Sequence, residues 1–547
     1  MADLMAGLIV GIVALPLAIA FGIASGVTPE KGIYTAIIAG FIISFLGGST
    51  VQIGGPTGAF IVIVYGIVEQ YGVQGLAIAT VLAGIMLLMM GLLKLGAIIK
   101  FIPFPIVVGF TSGIALTIFS TQIKDFFGLT TPSLPSGFVE KWGIYFEYFG
   151  TINWWAALVA FLSVAIIMLT PKVSRKIPGS LVALVVMTIA VYFLKEFGGV
   201  TGIETIGDRF VINSQLPEIE QIPISLASIR VLFPAAFTIA MLGAIESLLS
   251  ATVADGVTGK KHNSNVELAA QGIANIITPF FGGIPATGAI ARTMTNINNG
   301  GRTPVAGIIH AAVLLLVVLF LGDLTRHIPM ACLAGVLVVV AYNMSEWRMF
   351  LSLSKQSKDT RAVLLTTFLL TVIFDLTIAI GFGLLLAVFT FLKRMNQTTQ
   401  VSRTTGSINM TKEMESHSEH MQEEEVLYLP PGVEVYEIEG PFFFGVANKF
   451  DEVMRDLHGH SHIRIIRMRR VPFIDSTGLN NLEALCSNSK KEKIQIILSG
   501  VKDNVREKIE RSAIPGIIGK ENICDNIHRA VERAIILDAE WKKEYRP

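Results

Sequence analysis

Charge is scarce in this sequence. Only 16% of its 547 residues are Asp, Glu, Lys or Arg, where a typical soluble domain carries about 25%. The net charge is +1, so no basic excess points to nucleic acid. Cysteine is scarce too. Cys332, Cys486 and Cys524 lie far apart, which excludes a disulfide framework and a cysteine metal cluster and suits a reducing compartment. No nucleophile–base pair, Walker loop or metal-ligand cluster stands out, so the sequence predicts neither an enzyme nor a bound cofactor. The first apolar run begins at Met5 without a basic n-region or an A-x-A site. It reads as a first transmembrane helix, not a removed signal peptide.

What the chain has in excess is hydrophobicity: 52% apolar residues and a mean hydropathy of +0.62. These residues cluster up to about Arg394, in about fourteen segments. Most reach the ~20 residues that a span needs. Two are short, the third (56–70) and the tenth (287–297), and each is opened by nearly the same phrase: "GGPTGAF" at 54–60 and "GGIPATGAIAR" at 282–292. Gly and Pro break helices, and an unsatisfied N–H in hydrocarbon costs several kcal/mol, so broken helices survive only where they line a protein cavity. Paired short, Gly/Pro-interrupted segments at matching places in two halves point to a secondary transporter's binding site. Segment three of the first seven matches segment three of the second seven. The expected fold is a polytopic α-helical membrane protein of fourteen spans, two seven-helix repeats. An odd number of spans per repeat inverts the second copy. The two half-helix N-termini then face each other near the midplane, where free N–H groups and helix dipoles attract anions.

Charge placement sets the expected topology. With a cytoplasmic N-terminus, the cytoplasmic loops carry Lys94, Lys100, Lys172, Arg175, Lys176, Lys260, Lys261, Arg302, Arg348, Lys355, Lys358 and Arg361, and Lys393 and Arg394 follow the last span. The outer loops are acidic: Glu140, Glu147, Glu196, Glu204, Asp208, Glu218 and Glu220. This is the positive-inside pattern, and with an even number of spans it places both termini in the cytoplasm; the expected location is the plasma (inner) membrane.

Ionisable residues inside spans are expensive and mark function by default. Glu246, in "AMLGAIESLLSATVADG", and Arg292, in "TGAIARTMTN", both fall near the expected crossing. One reading puts Arg292 beside an anion and makes Glu246 a proton-titratable partner or cation ligand. The other is a structural Glu–Arg ion pair that locks the helices. Asp255 lies beside Gly256 near a helix end and reads as a surface residue. Asp375 has no evident partner. Phe21, after "ALPLAIAF", is either a cavity wall or a packing aromatic.

Beyond Arg394 the composition changes. Residues 395–425 are polar and then acidic, and read as a linker. From Val426 to the end, "VEVYEIEG", "IRIIRMRR" and "IQIILSG" alternate as strands do. They interleave with amphipathic helical patterns such as "ANKFDEVMRDL" (447–457) and "GLNNLEALCSNSKK". A small α/β domain over 426–547 follows. In "FIDSTGLNNL", Asp475, Ser476 and Thr477 offer oxygens to cap the next helix. An anion, nucleotide or phosphorylation loop is the alternative.

With "ALPLAIAFGIASGVTPEKGIYTAIIAG", "GGPTGAF", "GAIESLLSATVAD" and "GGIPATGAIARTMTN", followed by "PFIDSTGL", the chain resembles the SulP family of anion transporters, whose animal relatives include sulfate/chloride/bicarbonate exchangers and prestin. The C-terminal domain resembles a STAS domain, which is similar to bacterial anti-sigma-factor antagonists. The resemblance spans essentially the whole chain. It implies a core domain that rocks against a gate domain, a homodimer in the lipid bilayer, and an anion held between the third and tenth helices. Carried over by motif, the backbone donors are Thr57, Gly58 and Ala59 with Gly288, Ala289 and Ile290. Phe21 matches a cavity aromatic and Arg292 a basic residue near the site. In the sodium-coupled bicarbonate branch, an Asp stands where this chain has Glu246, and hydroxyls stand at the positions of Ser250 and Ile290. Ile290 cannot ligate sodium through its side chain, which tilts the reading toward proton coupling. Ser476 matches the serine that the antagonists phosphorylate, a position for a cytoplasmic regulator.

The expected function is an anion:proton symporter working by alternating access, with sulfate the favoured substrate. Sodium-coupled bicarbonate transport and proton-coupled C4-dicarboxylate (fumarate or succinate) transport are the alternatives. A nucleobase:cation symporter shares the fold, but Arg292 and the STAS-like domain disfavour it. A sensor with a vestigial membrane part is disfavoured by the intact half-helix pair.

Overall fold

In hydrocarbon every backbone N–H must be satisfied within its own segment, so the apolar runs fold as helices. The computed structural model describes residues 1–97, 102–173, 178–197, 199–200, 202–211, 217–374, 376–409, 426–444 and 461–545. The chain forms two compact units, Met1–Leu386 and Ala387–Pro547. Ten described helices are long and apolar enough to cross a membrane. One of these is two spans: Ile61–Leu92 is broken at Gly72, whose φ of 69° suits glycine.

The spans are 1 (Ala2–Ala24), 2 (Pro29–Leu46), 3 (61–71), 4 (73–92), 5 (Phe104–Phe127), 6 (Trp154–Val173) and 7 (Gly179–Glu196). The second half is 8 (Leu226–Thr258), 9 (Ser264–Ile277), 10 (Ile290–Asn298), 11 (Val305–Leu321), 12 (Met330–Met344), 13 (Lys358–Ile373) and 14 (Leu376–Thr398). Exchanging the halves maps the packing onto itself. Span 1 packs on span 11 as span 8 packs on span 4, and span 2 packs on 11 as span 9 packs on 4. Likewise span 5 meets 13 as span 12 meets 6, while spans 5 and 12 pair with each other. This is the inverted repeat. Small residues let the backbones approach: a Cβ at Gly84 would sit 2.7 Å from the Gly272 carbonyl, and one at Gly7 2.4 Å from the Ala306 carbonyl.

The two repeated phrases meet. Gly54–Gly55 (β1) pairs antiparallel with Thr287–Gly288 (β2), Gly54 opposite Gly288 and Gly55 opposite Thr287. Span 3 is preceded by a 3₁₀ turn, Gly58–Phe60, and span 10 is a nine-residue helix. Both half-helices therefore start from one buried two-stranded crossing.

In the second unit, five strands order as β3-β6-β7-β8-β9: Gln400–Thr405, Val433–Glu439, Ile463–Arg470, Gln495–Ser499 and Ile523–Cys524. β3 is antiparallel to β6 and the other pairings are parallel. A smaller ladder joins β4 (Ser407–Asn409) to β5 (Val426–Tyr428). Helix Ile527–Tyr545 covers one sheet face through Ile527, Ala530 and Ala534, and Ser476–Lys491 covers the other through Leu482 and Cys486. The expected linker is corrected at its start. Residues 400–409 are strands, masked in the sequence because the edge strand "QVSRTT" presents mostly polar side chains. Lys100, Arg175, Lys176, Asp375, the helix expected at 447–457 and linker residues 410–425 lie outside the described residues.

Candidate functional site

A cavity of about 330 Å³ lies at the tips of the two half-helices. The first span gives Leu17 and Phe21, and the first phrase gives Pro56, Thr57, Gly58 and Ala59. Span 8 gives Leu242, Glu246 and Leu249. The second phrase gives Ala289, Ile290, Ala291 and Arg292. Spans 5 and 12 close the other side with Val107, Phe110, Thr111, Val340, Asn343 and Met344, and Glu346 follows span 12. Val107 and Met344 lie near the span ends on the face where Ala2 starts, so the cavity reaches toward that face.

Of its three ionisable lining residues Glu346 is exposed, and the other two, Glu246 and Arg292, define the cavity's chemistry. The Thr57 hydroxyl donates to Glu246 Oε2 at 2.8 Å, tying the head of span 3 to the carboxylate of span 8. Arg292 is only 2% exposed, and its Nη1 and Nη2 have no hydrogen-bond partner among the described residues. Glu246 and Arg292 thus share the cavity without bonding to each other. The Arg292 side chain folds across the crossing: a Cβ at Gly55 would fall 2.1 Å from Nη1. Gly55 also has φ +151°, a backbone that only glycine adopts readily. The sequence Gly54-Gly55 is therefore a seat for the guanidinium of the other repeat.

Behind the cavity, a second carboxylate is fully satisfied. Glu267 of span 9 is buried and accepts from Gln52 Nε2 at 3.0 Å, Gln271 Nε2 at 2.8 Å, Ser247 Oγ at 3.1 Å and the Ser49 N–H at 3.1 Å. A buried charge is tolerated only when paired or hydrogen-bonded in this way. The network staples the stretch before the first phrase to spans 8 and 9. Asn275 does the same for the second phrase, donating to the Ala286 carbonyl and accepting its N–H.

Of the residues singled out from the sequence, Phe21, Thr57, Gly58, Ala59, Glu246, Ala289, Ile290 and Arg292 line this cavity. Three placements differ from expectation. Gly288 is not a lining residue; its absent Cβ leaves room for Gln52, whose Nε2 would be 1.7 Å away. The Ala289 N–H, expected to face the anion, is spent on the Ile53 carbonyl at 2.9 Å, because the β1–β2 crossing continues through it. Ser250 lies one turn beyond Glu246 but faces span 10, with its Oγ 3.4 Å from Thr293 Oγ1. Asp255 holds His262 at 2.7 Å beside the end of span 8, a local bracket. In the second unit Asp475 alone caps its helix, accepting from the Gly478 N–H at 2.7 Å, and Ser476 is exposed. Sequence reasoning missed Glu267, the span 5 and span 12 walls, and buried His310, whose ring nitrogens have no partner among the described residues. A carboxylate in "SNVELAAQGIANI" was the available signal for Glu267.

Two broken helices that meet at a buried cavity inside an inverted repeat mark a membrane transporter. The sulfate permease family profile matches residues 1–367 and the STAS domain profile residues 426–532. The chain is 41% identical over 527 residues, 96% of each protein, to the putative sulfate transporter YvdB of Bacillus subtilis. It is 30% identical over 546 residues, 98% of this chain and 94% of the other, to the bicarbonate transporter BicA of Picosynechococcus. The solved transmembrane domain of a cyanobacterial BicA superposes with a TM-score of 0.63 at 32% identity, over 69% of this chain and 96% of that one. SLC26A9 shares the fold, with a TM-score of 0.83 at 18% identity over 100% of this chain and 91% of that one. The chain belongs to the sulfate permease family. It is a multi-pass membrane transporter with a STAS domain, not an enzyme.

Proposed function

We propose that this protein imports a small oxyanion, sulfate before others, together with a proton, by alternating access. The observation that carries the reading is the Thr57–Glu246 hydrogen bond at 2.8 Å, in a cavity that also holds an unpartnered Arg292. An anion drawn to the head of span 3 and to Arg292 meets the Glu246 carboxylate. Two negative charges about 5 Å apart repel by about 3 kcal/mol at an effective dielectric of ~20. Protonating Glu246 removes that repulsion. Anion and proton then favour each other's binding, and linkage makes the effect reciprocal. Thr57, Gly58, Ala59 and Ile290 line the anion's place, Phe21 walls it, and Arg292 supplies positive potential. Gly288, Ala289 and Ser250 act through the crossing's geometry.

Proton coupling is favoured over sodium because Ser250 is turned to Thr293 and the Ile290 side chain has no oxygen to offer. The basic loops support a cytoplasmic N-terminal face in the plasma membrane, so the cavity would reach the cytoplasmic side. The homodimer and a regulatory role for Ser476, exposed at the start of its helix, rest on the family resemblance. Sulfate is preferred through the 41% identity to YvdB, a putative sulfate transporter. Bicarbonate is the second reading, through the 30% identity to BicA.

The test is uptake of radiolabelled sulfate, bicarbonate and fumarate into proteoliposomes under an imposed proton or sodium gradient. Sulfate accumulation driven by an inward proton gradient is the expected result. Accumulation that follows sodium, or only bicarbonate or fumarate uptake, would overturn the respective part.

A further inference from the structure

A second cavity, of about 280 Å³, lies at the opposite end of the same seam. Its walls are again spans 1, 3, 5 and 12, now at the ends remote from the N-terminal face, together with helix Phe138–Glu147. Lys141 on that helix is 2% exposed. Its ammonium sits 5.5 Å from the centre of the Tyr65 ring. It makes no hydrogen bond or ion pair among the described residues. Lys124 and Arg209 also line the cavity; Arg209 is committed to Asp125 at 2.8 Å and to Glu204, whereas Lys124 has no ion pair among the described residues. Lys141 and Lys124 are thus the two lining cations without a bonded carboxylate, with Glu69 near Lys141 but not bonded to it. Burial lowers Lys141 to about 8, against the pull of Glu69, which raises it. A buried ammonium without a partner is costly, and a ring face offsets only part of that cost.

The geometry points to an outer staging site for a small inorganic anion, held between Lys141 and Lys124 at the far end of the path from the half-helix cavity. Its occupant is the transported oxyanion or chloride of the medium; the first of these rests on the transport reading given above. An anion there pairs the Lys141 ammonium at the end of the seam between spans 1, 3, 5 and 12.

The test uses the full-length protein in nanodiscs. Cyanate carbamylates neutral lysine amines, and peptide mass spectrometry reads Lys141 separately from exposed lysines such as Lys355. Sulfate or chloride is added with ionic strength held constant by a bulky sulfonate. We expect carbamylation of Lys141 to slow at least fivefold with the anion, Lys355 to be unaffected, and Lys124→Gln to lose most of the protection. Protection by sulfate alone assigns the transported oxyanion; equal protection by chloride assigns a general small-anion site. No protection at Lys141, or equal slowing at Lys355, overturns the proposal. A second readout is uptake in oriented proteoliposomes. Lys141→Gln should raise KM about tenfold for anion presented at that face only, with Lys141→Arg restoring it. An equal change from both faces, or none, contradicts the site. Because protection is read without transport, its failure leaves the transport reading standing, and the wild-type uptake assay tests that separately.

Discussion

The two Thr-Gly-Ala turns are written alike and used differently. At the first, Thr57 turns its hydroxyl to the Glu246 carboxylate and Gly58 borders the cavity, where Met344 Sδ would lie 2.8 Å from an added Cβ. At the second, Thr287 donates to the Gly243 carbonyl at 2.9 Å and Gly288 is packed on Gln52. The first turn faces the cavity and its carboxylate, and the second carries the joint. The asymmetry runs back the other way through Arg292, which belongs to the second copy and seats its guanidinium against Gly55 of the first. Duplication gives a symmetric backbone, and a few side chains break the symmetry to make one site.

Gly55→Ala attacks the shared element and should have the largest effect. The positive φ strains any residue with a Cβ, and a methyl group 2.1 Å from Nη1 would push the Arg292 guanidinium off its seat. Transport should be lost and the folded yield in detergent should fall; wild-type uptake by this variant would show that the seat is not needed. Next come the paired glycines. Gly288→Ala should destabilise by about 2 kcal/mol, since overpacking a tight core costs on the order of 1–3 kcal/mol, because Gln52 is pinned by Ser247 and Glu267. Gly58→Ala meets the flexible end of Met344 and should cost less, as thermal unfolding of the two would show. Equal losses would erase the distinction between the copies.

The threonines sharpen it further. Thr57→Val removes the hydroxyl bonded to the Glu246 carboxylate and should lower proton-driven uptake about tenfold, beside a stability loss of up to the ~1.5–3 kcal/mol that a hydrogen bond to a charged group is worth. Thr287→Val should cost only about 1 kcal/mol of stability while the substrate KM holds. The smallest effect belongs to Ser250→Ala. A 3.4 Å contact to Thr293 is a marginal hydrogen bond, so uptake should stay within about twofold of wild type. A much larger loss would return Ser250 to the coupling machinery.

The fourteen segments, the break at each phrase and the Glu246–Arg292 outliers were legible because breakers and charges are conspicuous in apolar sequence. The register of the crossing was not. Whether Gly288 or Ala289 faces the cavity depends on β1 and β2 pairing Gly54 with Gly288, which neither strand encodes alone. The walls from spans 5 and 12 were silent for another reason. Val107, Phe110 and Met344 are ordinary apolar span residues, and lining a cavity leaves no mark on such side chains. Lys141 was hidden in the polar stretch between spans 5 and 6, on the helix Phe138–Glu147, where a lysine reads as solvated until the fold buries it. The edge strand β3 was hidden by its polar side chains.

The most direct test of coupling at Glu246 is the proton count on binding. Sulfate is added to the detergent-solubilised full-length protein in weakly buffered solution near neutral pH, and proton uptake is recorded for wild type and Glu246→Gln. The account predicts uptake approaching a proton for each anion bound by wild type and almost none for the variant, which still binds sulfate. Equal proton uptake by both proteins, or binding without any by wild type, would contradict it.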